Sequence, residues 1–266
     1  MCGRLARPHP DGVVTAPAET AVARGRDART PSSDRLDLMD AHEMKIAAAA
    51  EALRDVRSGM TLGLGTGSTA TEFVRLLGEA LQRGELRDIR CTCTSNKTEE
   101  QARGMSIPLF ALEEIAPLDL AVDGADEIDP RLRLIKGRGG ALLREKIVEQ
   151  QAKRFIVIAD ESKLVARLGA GVLPVEVTPF ALRVLEQRFQ AMGLAPLLRL
   201  RDGAVRITDE GHRILDVRVP ADRDIADIVA RIRALAGVVE TGFFPNEATE
   251  AIIAAPTGIR RLQSRA

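Results

Sequence analysis

The sequence predicts an α/β protein with a mainly parallel sheet and a second, smaller α+β domain, and two observations support this prediction. Between about residues 60 and 160, short apolar runs alternate with segments of helical periodicity, the pattern of a parallel sheet flanked by helices. Beyond residue 170 the order becomes strand, helix, strand, strand, helix, strand, which is a split βαβ unit. A chain of 266 residues can give both parts a core.

The first elements are predicted from helix-start signals. Asp40 and Glu43 have the spacing of a capping box, and the apolar residues that follow predict a helix over about residues 41–57. The segment "MTLGL" is a short strand. Thr69 and Glu72 form a second capping box, which predicts that the next helix begins there.

The alternation continues and predicts a Rossmann-like sheet. The predicted strands are "IRCTCT", "IPLFAL", "LDLAVD" and "FIVIAD", and the predicted helices between them are "SNKTEEQARG" and "ALLREKIVEQQAKR". In the second part, the predicted elements are "LPVEV", a helix over about 180–192, "LLRL", "RILDVRV", a helix over about 222–235 and "VVETGFF". Their order predicts a ferredoxin-like domain, and "AIIAA" is expected to return to the first sheet.

The predicted domain boundaries follow from this order. Scattered proline and arginine without apolar periodicity predict that the N-terminal segment is a disordered extension. The expected parts are a disordered extension at 1–38, a catalytic α/β domain at 39–167 and 244–266, and a smaller α+β domain at 168–243.

Composition excludes several classes of function. Lys and Arg balance Asp and Glu to a formal net charge of zero, and aromatic residues make up 3%, which argues against nucleic acid as a partner. No apolar run approaches the length of a membrane span, so no membrane association is expected. Cys2, Cys91 and Cys93 form no CxxC pair and no even set, which favours free thiols in the reducing cytoplasm.

The segment "LGLGTGSTATEF", residues 62–73, predicts a phosphate site. A glycine-rich loop between a strand and a helix presents unpaired N–H groups at the positive end of the helix dipole. Thr66, Ser68 and Thr69 would add hydroxyl donors. The loop also fits a dinucleotide fingerprint, but the strand "IRCTCT" ends without the carboxylate that would bind the ribose. Tight packing without a ligand is the alternative interpretation.

Two further stretches carry charged residues at predicted strand ends. Asp123 and Asp126 in "VDGADEID" follow a buried strand, where open α/β sheets bind ligands, although an Asp-Gly surface turn explains them equally well. A metal site has little support, because the spacing of these acids is not that of a calcium loop and no His lies near them.

A second glycine-rich helix start lies in "IKGRGGALLREKI". Lys136 precedes it, as either a cleft lysine or a surface lysine. Glu145 lies off the Leu143/Ile147 stripe, so a solvated charged face is its simplest interpretation from periodicity. Lys163 in "ADESKLV" leaves the same choice between cleft and surface.

Taken together, these stretches resemble ribose-5-phosphate isomerases of the A type over residues 39 to about 260. The motifs that carry the resemblance are "GLGTGSTA", "TSNKTEEQA", "DGADEID", "KGRGGALLREKI" and "ADESK". The resemblance implies an aldose–ketose isomerase of the pentose phosphate pathway that interconverts ribose 5-phosphate and ribulose 5-phosphate. It also implies that the enzyme uses neither a metal nor an organic cofactor and that it forms a homodimer or homotetramer.

The resemblance also implies roles for individual residues. Glu145 matches the catalytic base of the family. The active-site partners of that base are matched by Asp123, Asp126 and Lys136. Arg138 stands where some members have glycine. The implied substrate-binding residues are Lys45, Thr66, Gly67, Ser68, Thr69, Asp123, Gly124, Ala125, Asp126, Lys136, Gly137, Arg138, Gly139 and Lys163.

The residue types suit this chemistry. A carboxylate of raised pKa can take the C2 proton and return it to C1, while lysine and backbone donors stabilise the enediolate. Three alternatives remain at this point: a hexosamine-phosphate isomerase/deaminase, a CoA transferase that uses a glutamate as acyl acceptor, and a non-catalytic sugar-phosphate sensor. Sensors of this kind usually carry a helix-turn-helix, for which residues 1–38 show no pattern.

Overall fold

The computed structural model describes residues 39–263. The predicted disordered extension, residues 1–38, lies outside the described residues. Within the described part, the α-helices are α1 (Ala41–Leu53), α2 (Ser68–Gln82), α3 (Asn96–Gly104), α4 (Leu112–Ile115), α5 (Leu142–Gln150), α6 (Leu182–Ala191) and α7 (Ile225–Arg233). Short 3₁₀ helices lie at Glu161–Lys163 and Pro179–Ala181. No helix among residues 39–263 is long and apolar enough to cross a membrane.

The strands follow the same chain order. They are β1 (Thr61–Leu64), β2 (Arg90–Cys93), β3 (Leu120–Asp123), β4 (Glu127–Ile128), β5 (Leu134–Ile135), β6 (Phe155–Asp160), β7 (Leu173–Val177), β8 (Leu197–Leu198), β9 (Leu200–Arg201), β10 (Ala204–Val205), β11 (Arg213–Val217), β12 (Val238–Thr241), β13 (Phe243–Phe244), β14 (Glu250–Ala255) and β15 (Gly258–Gln263).

The central sheet has six strands in the order β15-β14-β6-β3-β1-β2. All neighbours pair in parallel except the β14–β15 hairpin. Residues of β1, β3 and β6 are buried along their whole length, as expected for strands covered on both faces. The α/β class and the return of "AIIAA" to this sheet beside β6 are both confirmed.

The second sheet is antiparallel, with strands in the order β12-β7-β11-β8. Numbered within the unit, this is the 4-1-3-2 order of a split βαβ pair, so the ferredoxin-like prediction is confirmed. Apolar residues of α6 and α7, such as Phe189 and Ile232, are buried in a cluster with those of β7 and β11. The domain boundaries given above stay a prediction.

A small antiparallel sheet, in the order β13-β5-β4, pairs the β4–β5 hairpin with β13 and positions part of the site. Directly after β5, Lys136 donates its backbone N–H to the carbonyl of Gly242 at 2.9 Å. A Cβ at Gly242 would lie 2.2 Å from the carbonyl oxygen of Lys136, so this close approach requires glycine.

Two local predictions were wrong. The segment "IPLFAL" is not a strand: its single bridge joins Leu109 to Cys91, because Pro108 has no N–H to extend a ladder and α4 begins at Leu112. Helix α2 begins at Ser68 rather than at a Thr69 capping box, with Gly67 as its N-cap and no side-chain cap. The α1 capping box of Asp40 and Glu43 is confirmed.

Candidate active site

The candidate site lies where the carboxyl ends of β1, β3 and β5 meet the N-termini of α2 and α5. A cleft of about 530 Å³ opens at this point. Asp123 lies beneath the lining, and Asp160 and Ser162 line the cleft although they were not predicted. The predicted residues that line it are Lys45, Thr66, Gly67, Ser68, Thr69, Gly124, Ala125, Asp126, Lys136, Gly137, Arg138, Gly139, Glu145 and Lys163.

The glycine loop after β1 gives the cleft an anion-binding end. Gly67 has a φ of +125°, a conformation that favours glycine, and it begins α2 without a side-chain cap. The first N–H groups of α2 therefore have no partner within the helix or from a capping side chain. Ser68 and Thr69 belong to this same turn, so backbone and hydroxyl donors meet at the positive end of the helix dipole.

The hydroxyl of Thr66 belongs to a cluster of side-chain hydroxyls beside the loop. It lies 2.7 Å from the hydroxyl of Thr94, 2.8 Å from that of Ser95 and 3.1 Å from that of Thr98. Thr98 also donates to the carbonyl of Gly65 at 2.9 Å. This hydroxyl cluster fixes the loop against the start of α3, so the Thr66 hydroxyl already has partners within the protein, and its contact with a substrate stays a prediction.

Gly65 allows Asp123 to lie against the loop. The Oδ1 atom of Asp123 accepts hydrogen bonds from the backbone N–H groups of Thr66, at 2.9 Å, and Gly124, at 2.6 Å. A Cβ at Gly65 would lie 2.2 Å from Cγ of Asp123. The carboxyl group and the loop thus hold each other in place, and only glycine leaves room for this contact.

We expect Gly65→Ala to lower the free energy of unfolding by about 1–3 kcal/mol, because the methyl group overlaps the buried Asp123 carboxyl. Urea unfolding measures this loss. Gly104→Ala is the matched control, since a Cβ at this helical position meets nothing within 4 Å, and it should be neutral or slightly stabilising. Equal stability of the two variants would contradict the predicted overlap.

Lys136 occupies the centre of a buried charged cluster. Its Nζ lies 2.9 Å from Oδ2 of Asp123, 3.1 Å from Oε1 of Glu149 and 3.6 Å from Oε2 of Glu145. It also donates to the carbonyl of Gly124 at 2.6 Å. The lysine is 2% exposed, so the surface-lysine interpretation is wrong. Three carboxyl groups thus surround one ammonium.

Burial and charge set the protonation of this cluster. Burial alone would lower the pKa of Lys136, but the three neighbouring carboxyl groups raise it well above its ordinary value, so the ammonium stays charged. Burial raises the pKa of Glu145 to about 8, and the nearby Lys136 only partly opposes this shift. A carboxyl group of this pKa both accepts and donates a proton near neutral pH.

Helix α5 buries a glutamate and exposes an isoleucine, which is the opposite of what its sequence pattern predicts. Glu145 is 3% exposed, whereas Ile147 of the apolar stripe is 44% exposed, so the solvated-face interpretation of Glu145 is wrong. The helix buries its charged side because Lys136 provides partners there. On the same helix, buried Lys146 contacts Glu240 at 2.9 Å and donates to the backbone carbonyls of Thr241, the last residue of β12, and Phe243, the first residue of β13.

Other charged residues complete the lining. Asp126 accepts a hydrogen bond from the backbone N–H of Arg138 at 2.8 Å, so its carboxylate stays in the cleft wall. Half-buried Lys45 on α1 and Lys163 after β6 both line the cleft. Among residues 39–263, no group of three or more His, Cys, Asp or Glu side chains is arranged to hold a metal ion.

The fold and this cleft are typical of acid–base enzymes that act on small phosphorylated substrates. The model of the family described as Ribose 5-phosphate isomerase A (phosphoriboisomerase A) matches residues 90–258. The chain belongs to this family. A relative from Rhizobium meliloti (strain 1021), "Ribose-5-phosphate isomerase A", is 49% identical over 230 residues, which are 84% of this chain and 99% of the relative.

Solved structures agree with the family assignment. A D-ribose-5-phosphate isomerase in complex with phospho-erythronic acid is 40% identical, with a TM-score of 0.81 over 85% of this chain and 100% of that chain. The ribose 5-phosphate isomerase A of Methanocaldococcus jannaschii is 39% identical, with a TM-score of 0.79 over 84% of this chain and 100% of that one. These matches do not favour the deaminase, transferase or sensor alternatives.

Proposed function

We propose that this protein interconverts D-ribose 5-phosphate and D-ribulose 5-phosphate through an enediolate. The observation that carries the proposal is the carboxyl group of Glu145, which has a raised pKa, contacts the Lys136 ammonium and opens into a cleft with an anion-binding helix start. Membership of the ribose 5-phosphate isomerase A family supports the same activity.

Glu145 is the proposed base. As a carboxylate it takes the proton from C2 of the open-chain aldose, and as a carboxylic acid it gives a proton to C1, while the hydroxyl proton at O2 passes to O1. Negative charge develops on the two oxygens of the enediolate between these steps. The Lys136 ammonium and the backbone N–H groups of Gly137 and Gly139, which line the cleft, stabilise that charge.

The phosphate anchors the sugar at the start of α2. The unpaired N–H groups of the helix and the side chains of Ser68 and Thr69 bind its oxygens, while Lys45 and Lys163 balance its charge. This binding energy holds C1 and C2 beside Glu145. The phospho-erythronic acid complex of the 40% identical isomerase, in which the ligand is a phosphorylated sugar acid, supports a sugar-phosphate site.

Opening of the furanose ring is assigned to Asp126. It lines the cleft, whereas Asp123 lies beneath the lining with Oδ1 occupied by two backbone N–H groups. Asp126 takes the proton of the C1 hydroxyl and gives a proton to the ring oxygen as the bond between C1 and that oxygen breaks. Asp123 orients Lys136.

Incubation with ribose 5-phosphate in deuterated water tests the activity. Ribulose 5-phosphate is expected to appear with solvent deuterium at C1, because the Glu145 carboxyl exchanges its proton with solvent between the two steps. A parallel incubation with glucosamine 6-phosphate tests the deaminase alternative. Ammonia release from the amino sugar, or no ketose from ribose 5-phosphate, would refute the proposed reaction.

The pH dependence of kcat/KM provides a second test. We expect an acid limb at about 8, because a protonated Glu145 cannot accept the C2 proton. Below this pH, kcat/KM should fall about tenfold per unit as the carboxylate form is lost. Initial rates measured from about pH 6 to about pH 10 check the expectation, and a flat profile across that range would contradict it.

The working form is proposed to be a homodimer or homotetramer in the cytoplasm. The family resemblance supports the assembly, and exposed apolar side chains such as Phe180 and Val184 are available for subunit contacts. Cys91 and Cys93 are free thiols, which suits a reducing compartment. Sedimentation equilibrium at micromolar concentration tests the assembly, and a monomer would refute it.

A further inference from the structure

Glu149 is a buried charged residue that the mechanism above does not use. It follows Glu145 by one helical turn on α5, is 2% exposed and does not line the cleft. Its Oε1 lies 3.1 Å from Nζ of Lys136. Within the described residues, neither of its carboxyl oxygens meets an aligned hydrogen-bond donor. A buried carboxylate without such donors is strongly disfavoured.

The charges around Lys136 do not balance if every group is ionised. Three carboxylates then oppose one ammonium, and the excess negative charge is buried beside the rings of Phe155 and Phe244, whose centroids lie 5.7 and 5.5 Å from Nζ. Such an excess is costly in apolar surroundings. The cluster therefore retains at least one proton near neutral pH.

The three carboxyl groups differ in how well each is supported as an anion. Asp123 accepts two backbone N–H hydrogen bonds, and Glu145 opens into the cleft, where solvent and substrate reach it. Glu149 has neither support. The retained proton is accordingly expected on Glu149.

We propose that Glu149 is a positioning residue that keeps its proton throughout turnover and holds the Lys136 ammonium through the 3.1 Å contact of its Oε1, which leaves Glu145 as the group that exchanges protons with the sugar. This inference rests on the proposed isomerase function. It explains why a second glutamate faces the same lysine one turn deeper. With a neutral Glu149, the base experiences one neighbouring carboxylate fewer.

The electrostatics of the cluster agree with this assignment. Burial raises the pKa of Glu149 well above its ordinary value, and the attraction of Lys136 does not restore it. The charged groups that act on Glu149 are Lys136, Asp123 and Glu145, and Asp126 acts in addition on Glu145. Because the two glutamates share one ammonium, they titrate as a pair, and the deeper one keeps the proton.

Two variants of the full-length protein test the proposal. Glu149→Leu has similar size but no acceptor for Lys136, and we expect kcat to fall about tenfold to a hundredfold with little change in KM. Glu149→Gln keeps a neutral polar acceptor. It should recover most of the lost kcat, and the acid limb of its kcat/KM profile should stay at the wild-type position.

Exposed Glu113→Gln on α4 is the matched control for removing a carboxylate. Circular dichroism and thermal unfolding of each variant separate misfolding from mispositioning. If Glu149→Leu fails to fold, the profile of Glu149→Gln still decides, because replacing an ionised neighbour would move the acid limb down by about one unit or more. Such a movement overturns the proposal, as does full activity of a folded Glu149→Leu. Failure of the wild-type protein to form ribulose 5-phosphate would instead refute the proposed function.

Discussion

Glu145→Gln is expected to lower kcat for ribose 5-phosphate isomerisation by about 10²- to 10⁴-fold. The amide has nearly the shape of the carboxyl group, so the α5 helix and the cleft should persist. It cannot take a proton from C2, however, so only residual catalysis by substrate positioning and by Lys136 remains. Because the change affects the chemical step, the substrate dissociation constant should stay within about tenfold of the wild-type value.

Steady-state rates and calorimetric titration with ribose 5-phosphate separate these two effects. Glu113→Gln is again the control, since it removes an exposed carboxylate outside the cleft and should leave both quantities unchanged. More than a few percent of wild-type kcat in Glu145→Gln would remove this side chain from the mechanism. A large loss of binding with unchanged kcat would give it a binding role instead.

Lys136→Met is expected to affect stability as well as activity. The variant leaves the buried carboxyl groups of Asp123, Glu145 and Glu149 without the ammonium they surround. Breaking a buried ion pair from one side typically costs about 3–5 kcal/mol, and the lost enediolate stabilisation should lower kcat by about 10²- to 10³-fold.

The stability loss has a defined pH dependence. Burial already raises the pKa of Glu145 and Glu149 above that of an unfolded glutamate, about 4.3, and removing the ammonium raises both further. The folded variant then holds protons that the unfolded chain releases, so its free energy of unfolding falls as pH rises above about 4.3. Wild type shares this decrease up to about pH 8, where its own Glu145 ionises, so the difference between the two proteins should grow above about pH 8.

Urea unfolding at several pH values measures this difference. Lys153→Met is the matched control, because this lysine pairs with Asp119 at 2.8 Å but its side chain is largely exposed. A surface pair of this kind contributes about 0–1 kcal/mol, so the control should show little loss at any pH. Equal losses of unfolding free energy in the two lysine variants would mean that buried Lys136 stabilises the fold no more than an exposed lysine does.

Local sequence was sufficient for the parts of the site that depend on backbone geometry. The glycine loop of residues 65–67, the strand end at Asp123 and the start of α5 all follow from turn chemistry and from the alternation of strands and helices. Parallel strands bring their carboxyl ends to one edge of the sheet, so the cleft itself was predictable. The assignment of particular residues to particular roles came from the family resemblance.

Periodicity was misleading where tertiary contacts reverse a helix face. From its sequence, α5 shows an apolar stripe of Leu143 and Ile147, and Glu145 and Glu149 lie off it. The helix nevertheless buries its glutamates, because Lys136, in the loop between β5 and α5, contacts them. Hydrophobic pattern alone cannot signal such a pairing, since the compensating charge lies on another element.

The buried Lys146 has a consequence for protein engineering. It follows the proposed base directly in the chain and joins α5 to Glu240 and to the carbonyls of Thr241, at the end of β12, and Phe243, at the start of β13. The position of the Glu145 carboxyl group therefore depends on contacts between α5 and residues almost a hundred positions later in the chain. Grafting the glycine loop and α5 onto another scaffold without an equivalent anchor would transfer the reactive groups but lose their alignment.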